Sequence, residues 1–506
     1  MPMDMDDRRG LCAATDPWVL VLDQAGRQCE TTVLSALTDP RHSALAGDPP
    51  VAVATLRFLI AVVLDATGGP KDEARWADWW VGGLPVEPLR EYLERHASRM
   101  YLHGSRPFLQ DPDTPVKAGM KSVAELAPQW PTGNNAVIYR HATGLSGPRP
   151  AAFAPAEALR WLISFHAHAR TGMWPSTAGG PAPGVPGPLV DKLLTVPVGP
   201  DVGRTVALSL VPDLAGAARG GRPPWRRGEP VLGRAPSSVV ELLAHSTRHV
   251  LLTPGTEAVT SLLIAVDPRI TPAVPRAVVA AWDPHIAATA TDRHPEGWSL
   301  ARYDPSRAAW RSAAALSAAT AGARAVRALA GRAAVIGDDP VRIEVFGLGT
   351  EAAGKYVAWM RASTDVPGPG HADLVGAVHD AEAIAVSGGY ALFRARRELG
   401  MVADSAHREA RRAAGVEFGR AFWAALAAPG AELAASLGQT DEAGREELLD
   451  GWRLRAGHLA HRVLDARLGR LRPTLRTVEA ATRGHGMISA AVRERAVADA
   501  PKEPHR

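Results

Sequence analysis

The sequence predicts an α+β protein: a large mixed N-terminal domain over residues 1–368, followed by a C-terminal four-helix bundle over residues 369–506. Two observations carry that prediction. Val341, Ile343 and Val345 alternate with Arg342 and Glu344, the two-residue period of a half-buried strand, and residues 356–361 alternate in the same way. From His371 onward the alternation ends; Ala, Leu, Arg and Glu dominate, and Gly or Pro gather at breaks such as Pro429-Gly430 and Gly438. At 506 residues the chain is also too long for one hydrophobic core.

The elements follow in order. Residues 18–22 and 28–33, with a turn at Gly26, predict an opening hairpin. Asp48-Pro49-Pro50 leads into an apolar helix over 51–67, with Pro in the first turn, where a missing N–H costs nothing. Arg57 and Asp65 interrupt that run, so it reads as a buried helix rather than a membrane span. Further helices are expected over 86–100 and 156–170, and 205–211 forms a short strand or helix. Residues 111–150 lack periodicity and predict a long loop. Residues 171–190 hold Gly172, Gly179, Gly180, Gly184 and Gly187 among five prolines and predict a backbone-rich loop, without the strand–helix context of a phosphate-binding P-loop. Arg219, Arg222, Arg226, Arg227 and Arg234 share a segment whose one acid is Glu229, a pattern that fits either a solvated linker or phosphate contact. Between the arms of the 341–361 hairpin, residues 347–354 hold three glycines and two alanines, a tip able to approach another surface closely. The bundle helices are expected near 371–399, 402–428, 441–470 and 473–498, with Leu464, Leu468, Leu471 and Leu475 along a buried stripe.

The net charge of +4 argues against a general nucleic-acid sponge, but residues 451–495 hold ten arginines against Asp465, Glu479 and Glu494, a local basic surface. Only six of the 57 basic residues are lysine, and arginine grips phosphate in a planar fork that lysine lacks. Cys12 and Cys29 make neither a disulfide framework nor a zinc site, and acids at Asp4, Asp6 and Asp7 with no apolar run do not read as a signal peptide. A cytoplasmic protein without membrane association is expected. His166 and His168 point apart on a helix; His458 and His461 share a face with Asp465 nearby. The His379-Asp380 dyad admits a metal-dependent phosphohydrolase, but further ligands cannot be assigned. With no G-x-S-x-G or H-E-x-x-H motif, no catalytic residue, metal or cofactor is expected; a scaffold that touches no DNA is the other reading.

The order of segments resembles the large subunit of the type I-E CRISPR Cascade surveillance complex, the CasA family. The likeness runs through residues 18–22, Gly47-Asp48-Pro49, His103-Gly-Ser-Arg-Pro-Phe-Leu-Gln110, Pro131-Thr-Gly-Asn-Asn135, Tyr139-Arg-His141, the Gly-rich loop, the hairpin and the bundle. The resemblance implies a non-catalytic subunit that reads the protospacer-adjacent motif (PAM) in double-stranded target DNA. It also implies help in opening the duplex for crRNA pairing and recruitment of a helicase–nuclease. Its partners would be the crRNA-containing Cascade backbone and the small subunits. PAM reading would fall to the glycine loop at Gly179 and Gly180 and to a wedge at Gly349, Thr350, Glu351, Ala352 and Ala353. DNA-backbone contacts would fall, by the resemblance, to Arg311 and, from the local arginine excess, to Arg453, Arg467 and Arg470. The tip carries Glu351 and Ala352 where the family wedge has a glutamine.

Overall fold

The helix Pro49–Thr67 organises the first of two units. In the computed structural model, the residues described are 10–115, 119–128, 151–218, 220–227, 235–255, 257–267, 274–290, 296–303, 322–337, 341–350, 356–365, 371–437 and 439–498. Of these, the residues up to 303 and from 322 to 364 form one unit, and those from 365 onward the other.

Every residue of the central helix from Pro50 to Leu64 is buried, so it is surrounded by protein on all sides, with Arg57 as its one charged residue in that stretch. Pro49 and Pro50 occupy its first positions, and Gly68 closes it in the left-handed conformation. It packs against the helices Val86–His96, Pro155–His168, Val202–Ser209 and Val239–Leu243 and the strand Arg342–Thr350. Phe58 gathers the aromatic core, with ring centroids 5.5 Å from Trp18, 5.9 Å from Phe108 and 5.4 Å from Trp225. Among the described residues this is the one helix long and apolar enough to cross a membrane, and its burial makes it a core helix.

The opening hairpin forms as expected from Val19–Asp23 and Gln28–Thr31, and a third strand, His42–Leu45, pairs with its first arm. Arg342–Thr350 lies between Tyr356–Asp365 and Leu193–Val198, antiparallel to the latter with Ile343 opposite Pro197 and Gly347 opposite Leu193. Of residues 205–211, those up to Ser209 belong to the helix Val202–Ser209, whose N-terminus is capped by Asp201. Residues 171–190 are not simply a loop: Gly172–Pro175 and Pro181–Gly184 form an antiparallel hairpin with Pro175 opposite Pro181. In a two-stranded ribbon both strands are edges, so prolines can occupy positions that need no ladder donor.

The second unit is a bundle of His371–Glu398, His407–Leu437, Glu442–Leu468 and Leu475–Ala498. Its core includes Leu392, Phe418, Phe422, Leu426, Trp452 and Leu464. The second helix does not break at Pro429-Gly430 but continues to Leu437. Burying Leu433 and Leu437 contributes about 1.5–3 kcal/mol each, which offsets the ~3 kcal/mol that an interior proline costs.

Candidate nucleic-acid interface

The glycine hairpin ends in an exposed tip. Gly179 and Gly180 have φ of 90° and 74°, the left-handed region, and a Cβ at either would meet nothing within 4 Å. Backbone conformation, not packing, therefore demands glycine here. The tip is nonetheless anchored: Ser176 donates its N–H to the Gly180 carbonyl (3.0 Å), and Thr177 donates its own to the Val266 carbonyl (2.9 Å). At its base Trp174 is buried, with the guanidinium groups of Arg170 and Arg248 at 4.7 Å and 5.4 Å from its ring. The result is a fixed, bare stretch of backbone.

Downstream of this hairpin the chain reaches Asp191, which holds the second predicted site element. The Asp191 carboxylate accepts from the Thr350 N–H (2.7 Å) and hydroxyl (3.1 Å) and from Arg302 (3.5 Å). Its N–H bonds back to the Leu348 carbonyl at 2.9 Å. Asp191 has φ of 57°, unusual outside glycine, and these bonds hold it there. Thr350 is thus a tethered residue at the root of the tip, and Gly349 is buried in the strand. Gly347 serves internal packing, since a Cβ there would lie 2.3 Å from the Tyr303 ring. Glu351, Ala352 and Ala353 lie outside the described residues, as does Arg311. Sequence reading missed Asp191, because no local pattern links it to a hairpin at residue 350.

The 103–110 segment is a scaffold. Gln110 donates to the Leu102 carbonyl (2.6 Å) and accepts from the Leu252 N–H (2.7 Å), Phe108 joins the aromatic core, and the Leu109 carbonyl bonds His166 (2.8 Å). The described part of the basic loop is partly neutralised: Arg226 pairs with Asp65 at 2.9 Å and Arg227 with Glu241 at 3.6 Å.

In the bundle, Arg453 pairs with Asp380 at 2.9 Å and Asp450 at 3.0 Å, and Arg467 pairs with Glu417 at 3.4 Å. Both spend charge internally, whereas Arg470 is exposed. His379 is exposed while the adjoining Asp380 is buried against Arg453, so the dyad does not converge. Among the described residues no cluster of three or more His, Cys, Asp or Glu could hold a metal.

His461 instead belongs to a hydrogen-bonded chain between the third and fourth helices. Its Nδ1 lies 2.6 Å from His485 Nδ1, His485 Nε2 lies 2.7 Å from Asp465, and Ser489 lies 3.3 Å from His461 Nε2. A carboxylate only accepts, so His485 donates from Nε2 to Asp465, and the Nδ1 atoms of His485 and His461 and the Ser489 hydroxyl complete the chain. Burial first, then His485, holds His461 below its ordinary 6.5, against the pull of Asp465; His458 also lowers it. As pH falls through 6.5 the unfolded chain protonates first, so this contribution to stability is complete above that value and is lost below it. Thermal melts from about pH 7 to about pH 5 should show declining bundle stability, with a shallower decline in His461→Gln. Equal slopes in both proteins would remove His461 as the cause.

These features belong to a mixed α/β unit joined in sequence to a four-helix bundle, the architecture of solved CasA and Cse1 chains. The chain belongs to the family of CRISPR-associated protein Cse1, whose family model matches residues 14–463. CRISPR-associated protein CasA/Cse1 of Thermus thermophilus is 33% identical over 201 residues, a stretch spanning 39% of this chain and 39% of that relative. The crystal structure of Thermus thermophilus CasA superposes with a TM-score of 0.75 at 21% identity, covering 96% of this chain and 100% of that one. A chain of a CRISPR RNA-guided surveillance complex superposes at 0.73 with 18% identity, covering 95% and 99%.

Proposed function

We propose that this protein is the PAM-reading large subunit of a type I-E Cascade complex, working in the cytoplasm without catalysis of its own. Family membership and the likeness to a chain of an RNA-guided surveillance complex support the assembly. The observation that carries DNA recognition is the exposed, anchored Gly179-Gly180 tip. The minor groove is narrow and its code degenerate, so bare backbone that can approach closely suits a reader of a short motif there. The segment that links Arg342–Thr350 to Tyr356–Asp365, rooted by Thr350 on Asp191, is the wedge that helps part the duplex for crRNA pairing. Separating base pairs costs a few kcal/mol per step, which protein–phosphate contacts offset. Once the duplex is open, the subunit recruits the helicase–nuclease.

The test is a reconstituted complex carrying Gly179→Leu and Gly180→Leu. Affinity for duplex bearing the PAM should fall about tenfold or more, a loss of ~1.4 kcal/mol or more. Binding to single-stranded target complementary to the crRNA should be unchanged. Intact discrimination between matched and mutated PAM would refute the assignment of the tip.

A further inference from the structure

We propose that one end of the four-helix bundle is a docking surface for the sugar–phosphate backbone of DNA, carried by Arg397, Arg408, Arg412, Arg470, Arg472 and Arg476. This assignment rests on the DNA-recognition reading and relocates the backbone contacts from the helix faces to a helix end.

Cross-helix contacts fix which termini meet. Phe393, near the end of the first helix, lies 4.8 Å from His407 at the start of the second. Glu417 of the second helix bridges Arg396 of the first (2.8 Å) and Arg467 of the third (3.4 Å). Arg483 of the fourth helix reaches Glu398 of the first at 2.8 Å. The end of the first helix, the start of the second, the end of the third and the start of the fourth therefore share one end of the bundle. All six arginines lie there, all are exposed, and none makes an ion pair among the described residues.

Helix stability does not account for the pattern. Arg397 and Arg470 sit near helix C-termini, where a cation favours the helix dipole. Arg408 and Arg476 fall in the first turns of the second and fourth helices, where the same dipole disfavours a cation. Farther along the bundle several arginines are paired: Arg445 with Asp373 (3.3 Å), Arg453 with Asp380 (2.9 Å) and Arg455 with Glu432 (3.2 Å), while Arg420 and Arg493 are exposed. These exposed guanidinium groups at the shared end lie beside its two connections between helices, and their planar forks match phosphate oxygens.

Fluorescein-labelled duplexes with matched and mutated PAM, and a labelled single strand, would be titrated across a salt series. The protein would be the full-length chain alone and then the reconstituted complex. Arg470→Glu, Arg472→Glu and Arg476→Glu together should weaken binding to both duplexes about tenfold or more and lower the salt slope by about 2–3. The ratio between matched and mutated PAM should persist in the complex. A parallel variant, Glu442→Lys with Glu446→Lys, should not weaken binding. Unchanged affinity and salt slope in the arginine variant would overturn the proposal. Loss of the PAM ratio in the wild-type complex would instead strike the recognition reading, and the salt slope of the chain alone still decides this one.

Discussion

Replacing Arg57 with methionine is expected to destabilise the N-terminal unit by about 3–5 kcal/mol, the usual cost of leaving one partner of a buried ion pair alone. Arg57 and Asp283 have side chains each 1% exposed, with Nη1 2.5 Å from the carboxylate. Without Arg57 the carboxylate keeps, among the described residues, the N–H groups of His285 (2.9 Å) and Ile286 (3.1 Å). His285 cannot replace the lost charge, because burial pushes its pKa down to about 3 and it stays neutral. Adding Asp283→Asn should restore part of the loss, since the neutral amide still accepts from both N–H groups. Urea titration followed by tryptophan fluorescence reads both variants. A loss under about 1 kcal/mol for Arg57→Met, or a double variant less stable than the single, would contradict the uncompensated-charge account.

Phe418→Ala should cost the bundle a similar ~3–5 kcal/mol. The ring is fully buried, stacks on Phe422 with centroids 6.0 Å apart, and covers Gly388 of the first helix. A Cβ at 388 would lie 2.1 Å from its Cζ. Gly388→Ala alone should therefore destabilise by about 1–3 kcal/mol through overpacking, less the ~0.5–1 kcal/mol that alanine gains in a helix. In the Phe418→Ala background the same methyl fills part of the void, so the double variant should be more stable than Phe418→Ala alone. Additive losses in a double-mutant cycle would show that the two positions do not share this contact.

The sequence revealed what local period encodes. The alternation at 341–345 marked a strand, and the Ala/Leu-rich texture after His371 marked the bundle, because both patterns follow from one buried face. It failed where tertiary partners decide. Prolines at 175, 181 and 183 resemble a loop until two edge strands are seen to pair, and Pro429 resembles a stop until Leu433 and Leu437 are seen to be buried. The count of arginines in 451–495 was correct, but counting cannot distinguish Arg453, paired with a buried acid, from Arg470, facing solvent. Gly179 and Gly180 were legible as glycines in a special backbone, whereas the Asp191 tether spans 159 residues to Thr350 and left no local trace.

The uneven placement of charge along the bundle has a kinetic consequence. With exposed Arg397, Arg408, Arg412, Arg470, Arg472 and Arg476 at one end and exposed Glu442, Glu446 and Glu447 at the other, the described residues of the bundle set up an electric moment along its axis. In the field of a polyanion such a body experiences a torque before any contact forms, turning its basic end forward and narrowing the orientational search that ordinarily slows association. Reversing charge at either end should therefore register first in the association rate at low salt, and the difference should fade as the Debye length shrinks.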